Sequence, residues 1–268
     1  MPTTDDAAPR PDPPPELARL VPGFVATLAS RPDGHVVTWR LERPGAPARF
    51  AKVAARPHAG VLRREAERAI WAVAYLPVPR VLTFEEAGDV VVLVTEALPG
   101  RDGTDPVWRG DPPGLVRAFG RGLRSFHEAV GDEWCPFRFD AATALEHVAA
   151  RVAAGLVDAA GFHAEHAHLG TEAALAELAA GAPPDEDLVV CHGDYCVPNV
   201  LLRDGNVTGY VDLGALAVAD RWWDIAVGSW STRWNFGDEL EPLFFEGYGI
   251  DPDPARIGFY RLLYDLAG

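Results

Sequence analysis

The run Val190-Cys191-His192-Gly193-Asp194-Tyr195-Cys196-Val197-Pro198-Asn199, followed after a turn by Tyr210-Val211-Asp212-Leu213-Gly214, constrains this chain more than any other feature. One carboxylate, Asp194, stands in a loop after a short apolar run. An amide, Asn199, follows it, and a second carboxylate, Asp212, closes the next apolar run. Val189-Val190, Val200-Leu201-Leu202 and Val207 to Val211 read as short strands, with hairpin-turn chemistry at Asp204-Gly205-Asn206. That hairpin is expected to bring Asp194, Asn199 and Asp212 near one another. Transfer of a γ-phosphoryl group needs these pieces: a carboxylate to orient and deprotonate a hydroxyl, and hard oxygens to hold Mg²⁺ against the phosphates.

The spacing resembles the catalytic loop and metal-binding Asp of kinase-like folds, with His-Gly-Asp for His-Arg-Asp and Asp-Leu-Gly for Asp-Phe-Gly, which points to a small-molecule kinase. From Asp187 to Ala226, including Ala219-Asp220-Arg221-Trp222-Trp223-Asp224-Ile225-Ala226, the chain is similar to the aminoglycoside phosphotransferases, and most similar to the aminoglycoside 3'-phosphotransferases of actinobacterial type. Cys135-Pro136-Phe137, Gly155-Leu156-Val157-Asp158 and Phe259-Tyr260-Arg261-Leu262-Leu263 extend the match, which runs from about Val36 to the C-terminus. The resemblance implies an α+β, bilobal protein-kinase-like fold with a β-rich N-lobe and a mainly α C-lobe. It also implies ATP- and Mg²⁺-dependent O-phosphorylation of an aminoglycoside hydroxyl, the 3' position being expected, with antibiotic resistance as the outcome. A kinase for another small-molecule hydroxyl, such as a different antibiotic or an amino alcohol, is the first alternative. A nucleotide-binding pseudokinase is the second, and the presence of Lys52, Asp194, Asn199 and Asp212 together argues against it.

Residues 1–15 are proline-rich and almost without apolar side chains, so they read as a flexible tail. Residues 16–97 read as a nucleotide-binding N-lobe. Within it the pattern predicts a short helix in Leu17 to Leu28, a hairpin of Val36–Leu41 with Ala48–Val53, and an amphipathic helix over Leu62–Leu76. Two strands, Val78–Phe84 and Asp89–Thr95, follow. Residues 98–268 read as the catalytic and acceptor-binding C-lobe, with helices over Leu115–His127, Ala141–Leu156 and Thr171–Ala180.

Asp194 is the expected catalytic base, and Asn199 and Asp212 the expected Mg²⁺ ligands. Lys52 stands on a strand among apolar neighbours, where an unpaired cation is costly. By resemblance it binds the α/β-phosphates, with Glu65 of the next helix as its partner and Glu67 as an alternative. Glu96 and Ala97 take the place of the adenine-binding hinge, and a phosphate-covering loop is expected at Ser30–His35, although Gly-x-Gly-x-x-Gly is absent there. Asp224 is expected to be a buried buttress of the catalytic loop, and His192 to be structural. Acceptor binding is assigned by resemblance to Asp158, Glu165, Arg221, Trp234, Asp265 and Gly268. Relatives are more acidic at several of these sites: Trp234 and Asn235 stand where the family has two acids, and Tyr264 replaces a third.

A net charge of −15 disfavours nucleic acid and anionic membranes and favours a cationic small molecule. Cys135, Cys191 and Cys196 fit neither a disulfide framework nor a zinc site. No apolar run approaches membrane-spanning length and no secretory leader is visible, so a cytoplasmic protein is expected.

Overall fold

The computed structural model describes residues 11–31 and 35–268. The chain divides into two compact units. The first comprises the described residues up to Gly100 together with residues 208–215, the second residues 101–207 and 216–268.

The first unit is an antiparallel sheet. Its strands are β1 (Val25–Ser30), β2 (Val36–Glu42), β3 (Arg49–Ala55), β4 (Val81–Ala87) and β5 (Val90–Glu96), in the order β1-β2-β3-β5-β4. β3 lies at its centre, with Lys52 opposite Thr38 on one side and Leu93 on the other. The alternation along β2, β3 and β5 buries Trp39, Leu41, Ala51, Val53, Val92 and Val94 on one face. Helix α1 (Pro15–Leu20) covers that face with Leu17. Ala54, Val91 and Leu93 turn to the other face and meet Leu62 and Ala66 of α2 (Ala59–Ala72). The helix expected over Leu17–Leu28 therefore ends at Leu20, and β1 occupies the rest. Its Val-Ala-Thr-Leu sequence holds only a short apolar signal, and pairing with β2 decides its conformation. Most of the tail and the centre of the expected phosphate-covering loop, residues 1–10 and 32–34, lie outside the described residues.

Residues 208–215 join this unit through one backbone and one side-chain hydrogen bond: Tyr210 N–H donates to Pro77 O at 3.0 Å, and Thr208 Oγ1 donates to Pro99 O at 2.7 Å. Gly209 makes the approach possible, because a Cβ there would stand 2.6 Å from Leu98 Cδ1.

The second unit is mainly helical: α3 (Pro112–His127), α4 (Ala141–Ala153), α5 (Thr171–Ala180), α6 (Arg221–Phe236), α7 (Glu241–Tyr248) and α8 (Pro254–Ala267). Its strands are β6 (Arg101–Asp102), β7 (Leu188–Cys191), β8 (Val200–Arg203) and β10 (Ala217–Asp220). β9 (Asn206–Tyr210) carries the chain back to the first unit after the turn at Asp204 and Gly205, both at positive φ. β10 pairs antiparallel with β7, so its Asp220 lies opposite Leu188. Helices α3 and α7 cross with almost no space between backbones: a Cβ on Gly120 would stand 2.2 Å from Phe244 O, and one on Gly247 would stand 2.4 Å from Arg117 O. Helix α6 is buried for most of its length, from Trp222 to Thr232, and the loop after β7 is built against it.

Candidate active site

In the first unit the centre is Lys52. Its Nζ donates to Glu65 Oε1 and Oε2 at 2.7 and 2.9 Å and also to Asp212 Oδ1. The helix register thus selects Glu65 rather than Glu67 as the partner. Burial works against the ammonium, but the carboxylates of Asp212 and Glu65 outweigh it and hold its pKa above the usual lysine value. Burial also pushes the Glu65 carboxyl upward, opposed by Lys52. Asp212 adopts φ 63°, a left-handed conformation that a residue with a Cβ rarely takes, at the point where its carboxylate meets Lys52. At the expected hinge, Glu96 N–H donates to Arg80 O at 3.0 Å and its carboxylate accepts from Arg80 Nη2 at 3.0 Å. Ala97 N–H donates to Ala48 O at 3.2 Å, so a bound base would have to exchange that bond.

In the second unit the loop after β7 holds Asp194. Gly193, at φ 85°, makes the bend that a side chain would strain. Helix α6 pins this loop at four points. Asp224 Oδ2 and Oδ1 accept the N–H groups of His192 and Gly193 at 2.6 and 2.8 Å. Trp223 Nε1 donates to Gly193 O at 2.9 Å, and Ser231 Oγ accepts Val197 N–H at 2.9 Å. Asp224 is fully buried, the buttress the sequence suggested, and His127 Nε2 lies 3.1 Å from its Oδ2. His192 is also fully buried, and its Nδ1 accepts the Asp194 N–H at 3.3 Å, a structural part. His127, Cys191 and Asp224 bring potential metal-ligating atoms within 4.8 Å of one another, yet the hydrogen bonds to Asp224 account for that cluster without an ion.

Asn199 Nδ2 donates to both the backbone oxygen and Oδ2 of Asp194 at 2.9 Å. With its nitrogen committed, the amide oxygen is the atom left to serve as a metal ligand. Asp194 Oδ1 accepts from Tyr264 Oη at 3.1 Å and from Cys196 Sγ at 3.2 Å. All three cysteines are buried free thiols, and burial holds those of Cys191 and Cys196 well above their usual pKa.

The residues assigned to the acceptor are mostly engaged with protein partners. Asp265 accepts from His163 N–H at 3.2 Å and lies 2.5 Å from both His163 Nδ1 and His166 Nδ1. Burial would raise its pKa, but the two imidazoles outweigh that and hold it below the usual carboxylate range. Glu165 accepts from Arg233 at 2.6 Å and Arg261 at 3.4 Å. Arg221 donates to Asp187 Oδ1 at 2.9 Å and to Tyr248 Oη at 3.1 Å. Asp158 is exposed and accepts the Ala160 N–H at 2.9 Å. Trp234, 41% exposed, stacks on His163 with centroids 4.5 Å apart and 7° between planes. Gly268 lies against the Arg151 guanidinium. Sequence reasoning did not anticipate the parts played by Trp223, Ser231 and the two histidines. The Trp-Trp-Asp segment was the available signal for the first, and nothing in residue order links 163 and 166 to 265.

The sequence pattern of the family described as "Phosphotransferase enzyme family" matches residues 27–260. The chain belongs to that family. Among curated members, an aminoglycoside 3'-phosphotransferase of Niallia circulans is 35% identical over 228 residues, 84% of each chain. One from Streptomyces fradiae is 38% identical over 230 residues, 81% of this chain and 85% of that one. The crystal structure of an aminoglycoside-3'-phosphotransferase of type VIII superposes with a TM-score of 0.83 at 35% identity, over 94% of this chain and 96% of that one. A Streptomyces rimosus aminoglycoside phosphotransferase in complex with ADP and streptomycin gives 0.74 at 26% identity, over 94% and 96%. The phosphotransferase family thus accounts for the antiparallel sheet of the first unit and the helical second unit alike. No helix among the described residues is long and apolar enough to cross a membrane.

Proposed function

We propose that this chain is an ATP-dependent phosphotransferase that modifies an aminoglycoside hydroxyl, at the 3' position. The observation that carries the reading is the loop carboxylate Asp194, fixed by Asn199 and by the four anchors from α6, in a chain 35–38% identical to aminoglycoside 3'-phosphotransferases. Asp194 is the base that takes the proton of the attacking hydroxyl. Lys52, oriented by Glu65, binds the α/β-phosphates, and the backbone around Glu96 and Ala97 receives the adenine. Asp212 and the amide oxygen of Asn199 are hard donors of the kind Mg²⁺ takes, and both fit that ion in type. When bound, Mg²⁺ would neutralise charge on the phosphates.

On the acceptor side, Asp158, Glu165, Trp234 and Gly268 are exposed, so first contact with the antibiotic falls to them. Asp265 shapes that wall through its histidine partners, whereas Arg221 stands at the other end of α6 from Trp234, bonded to Asp187 and Tyr248. Antibiotic resistance and residence in the cytoplasm, where ATP is available, follow from this reading. The test is ADP release by the purified protein with kanamycin, neomycin and streptomycin, followed by NMR of the product to locate the phosphate. Turnover of an analogue lacking the 3'-hydroxyl at the full rate would exclude the 3' position. Turnover of none of the three would turn attention to another small-molecule hydroxyl.

A further inference from the structure

The carboxylate of Asp194 has protein donors on both oxygens, and they are unequally distributed. Oδ1 accepts two, the Tyr264 hydroxyl at 3.1 Å and the Cys196 thiol at 3.2 Å. Oδ2 accepts one, Asn199 Nδ2 at 2.9 Å. An ionised carboxylate offers about four lone-pair sites, two on each oxygen. Oδ1 is therefore saturated by its neighbours, and one site remains, on Oδ2.

Tyr264 cannot leave this arrangement easily. Its ring packs against three aromatic neighbours: Trp230 edge-on at 6.4 Å, Trp223 at 6.3 Å and His163 at 6.2 Å. The next residue, Asp265, is clamped by His163 and His166, which ties the end of α8 to the segment holding both histidines. Burial, with Cys196 and Asp194 alongside, raises the Tyr264 phenol far above its ordinary pKa, so the hydroxyl keeps its proton and remains a donor.

We propose that Tyr264 is a positioning residue for the base. With Cys196 it occupies Oδ1 and leaves Oδ2 as the atom that receives the proton of the acceptor hydroxyl. In that step the acceptor O–H bond breaks and its proton goes to Oδ2. The freed oxygen forms a bond to the γ-phosphorus, and the bond from that phosphorus to the β–γ bridging oxygen breaks, releasing ADP. Without the Tyr264 hydroxyl, Oδ1 gains an open lone pair, and the carboxylate can rotate or accept the substrate hydroxyl on the wrong oxygen.

This inference rests on Asp194 being the base of the proposed phosphotransfer, and the experiment separates the two. Steady-state kinetics are measured for wild type, Tyr264→Phe, Cys196→Ala and the double variant with ATP and whichever of kanamycin, neomycin or streptomycin the wild type turns over. Tyr264→Phe retains the ring and its contacts, and far-UV circular dichroism with a cooperative thermal transition checks that it folds. The expected result is a kcat at least about 10-fold lower, the scale of one charge-assisted hydrogen bond, with the KM values for ATP and acceptor within about twofold of wild type. The double variant falls further. A Tyr264→Phe kcat within twofold of wild type overturns the inference. So does a loss confined to the acceptor KM, which would make Tyr264 a substrate contact instead. A wild type that turns over none of the three defeats the functional reading first and this inference with it.

Discussion

At the scale of single residues, the two carboxylates of the motif have opposite surroundings. Asp212 faces a cation, whereas Asp194 faces only neutral donors. Asp194→Asn should lower turnover by at least about 10³-fold while ATP still binds, because the amide keeps the volume and loses the base. Isothermal titration with ATP alongside the kinetic assay checks both halves, and near-native turnover in a folded Asp194→Asn protein would refute the assignment. Lys52→Ala should raise the KM for ATP, and Glu65→Gln should raise it less, since Glu65 acts by holding Lys52 in place. A damaging Glu67→Gln beside a silent Glu65→Gln would show that the pair seen here does not serve the nucleotide.

At the scale of elements, the amount that could be read from the sequence followed the range of the interaction. The hairpin of β2 and β3 was legible because alternation and a Pro-Gly turn lie within a few residues. α2 was legible by its period, and α3, α4 and α5 by theirs. β1 was misread because its partner supplies what its own residues lack. β10 was missed for the same reason, its four residues being strand only through pairing with β7. Asp194, Asn199 and Asp212 were visible as a linear motif, whereas the contacts that engage Glu165 and Asp265 join residues 96 and 102 positions apart. Glycine positions in α3 and α7 were unreadable as such, yet they set the helix crossing. Gly120→Ala should cost about 2 kcal/mol or more, because its methyl would meet the backbone of α7 rather than a side chain that can move. Gly258→Ala in α8, where nothing stands within 4 Å, should instead be neutral or stabilising. Chemical denaturation of the two variants compares them directly.

At the scale of the whole molecule, a net charge of −15 gives a field that attracts a polycation from a distance, independent of which carboxylate it finally touches. The internal pairing of Asp265 and Glu165 then separates two effects that a more acidic wall would merge. Association should slow steeply between low and physiological salt, while the kcat at saturation stays nearly constant. The end of α8 cannot be tested by simple truncation, because Leu266 is fully buried and Asp265 is clamped by two histidines. The informative change there is Asp265→Asn, read by stability against pH. The native Asp265 carboxyl lies below its ordinary value of 3.8, so its contribution is present above that pH and is lost as the pH falls through the lower native value. Wild type should therefore lose stability more steeply than Asp265→Asn as the pH falls below about 4, with Asn the less stable above that pH. Thermal melts from pH 3 to pH 7 give the comparison, and superimposable wild-type and Asp265→Asn profiles would show that the histidine clamp contributes nothing to the fold.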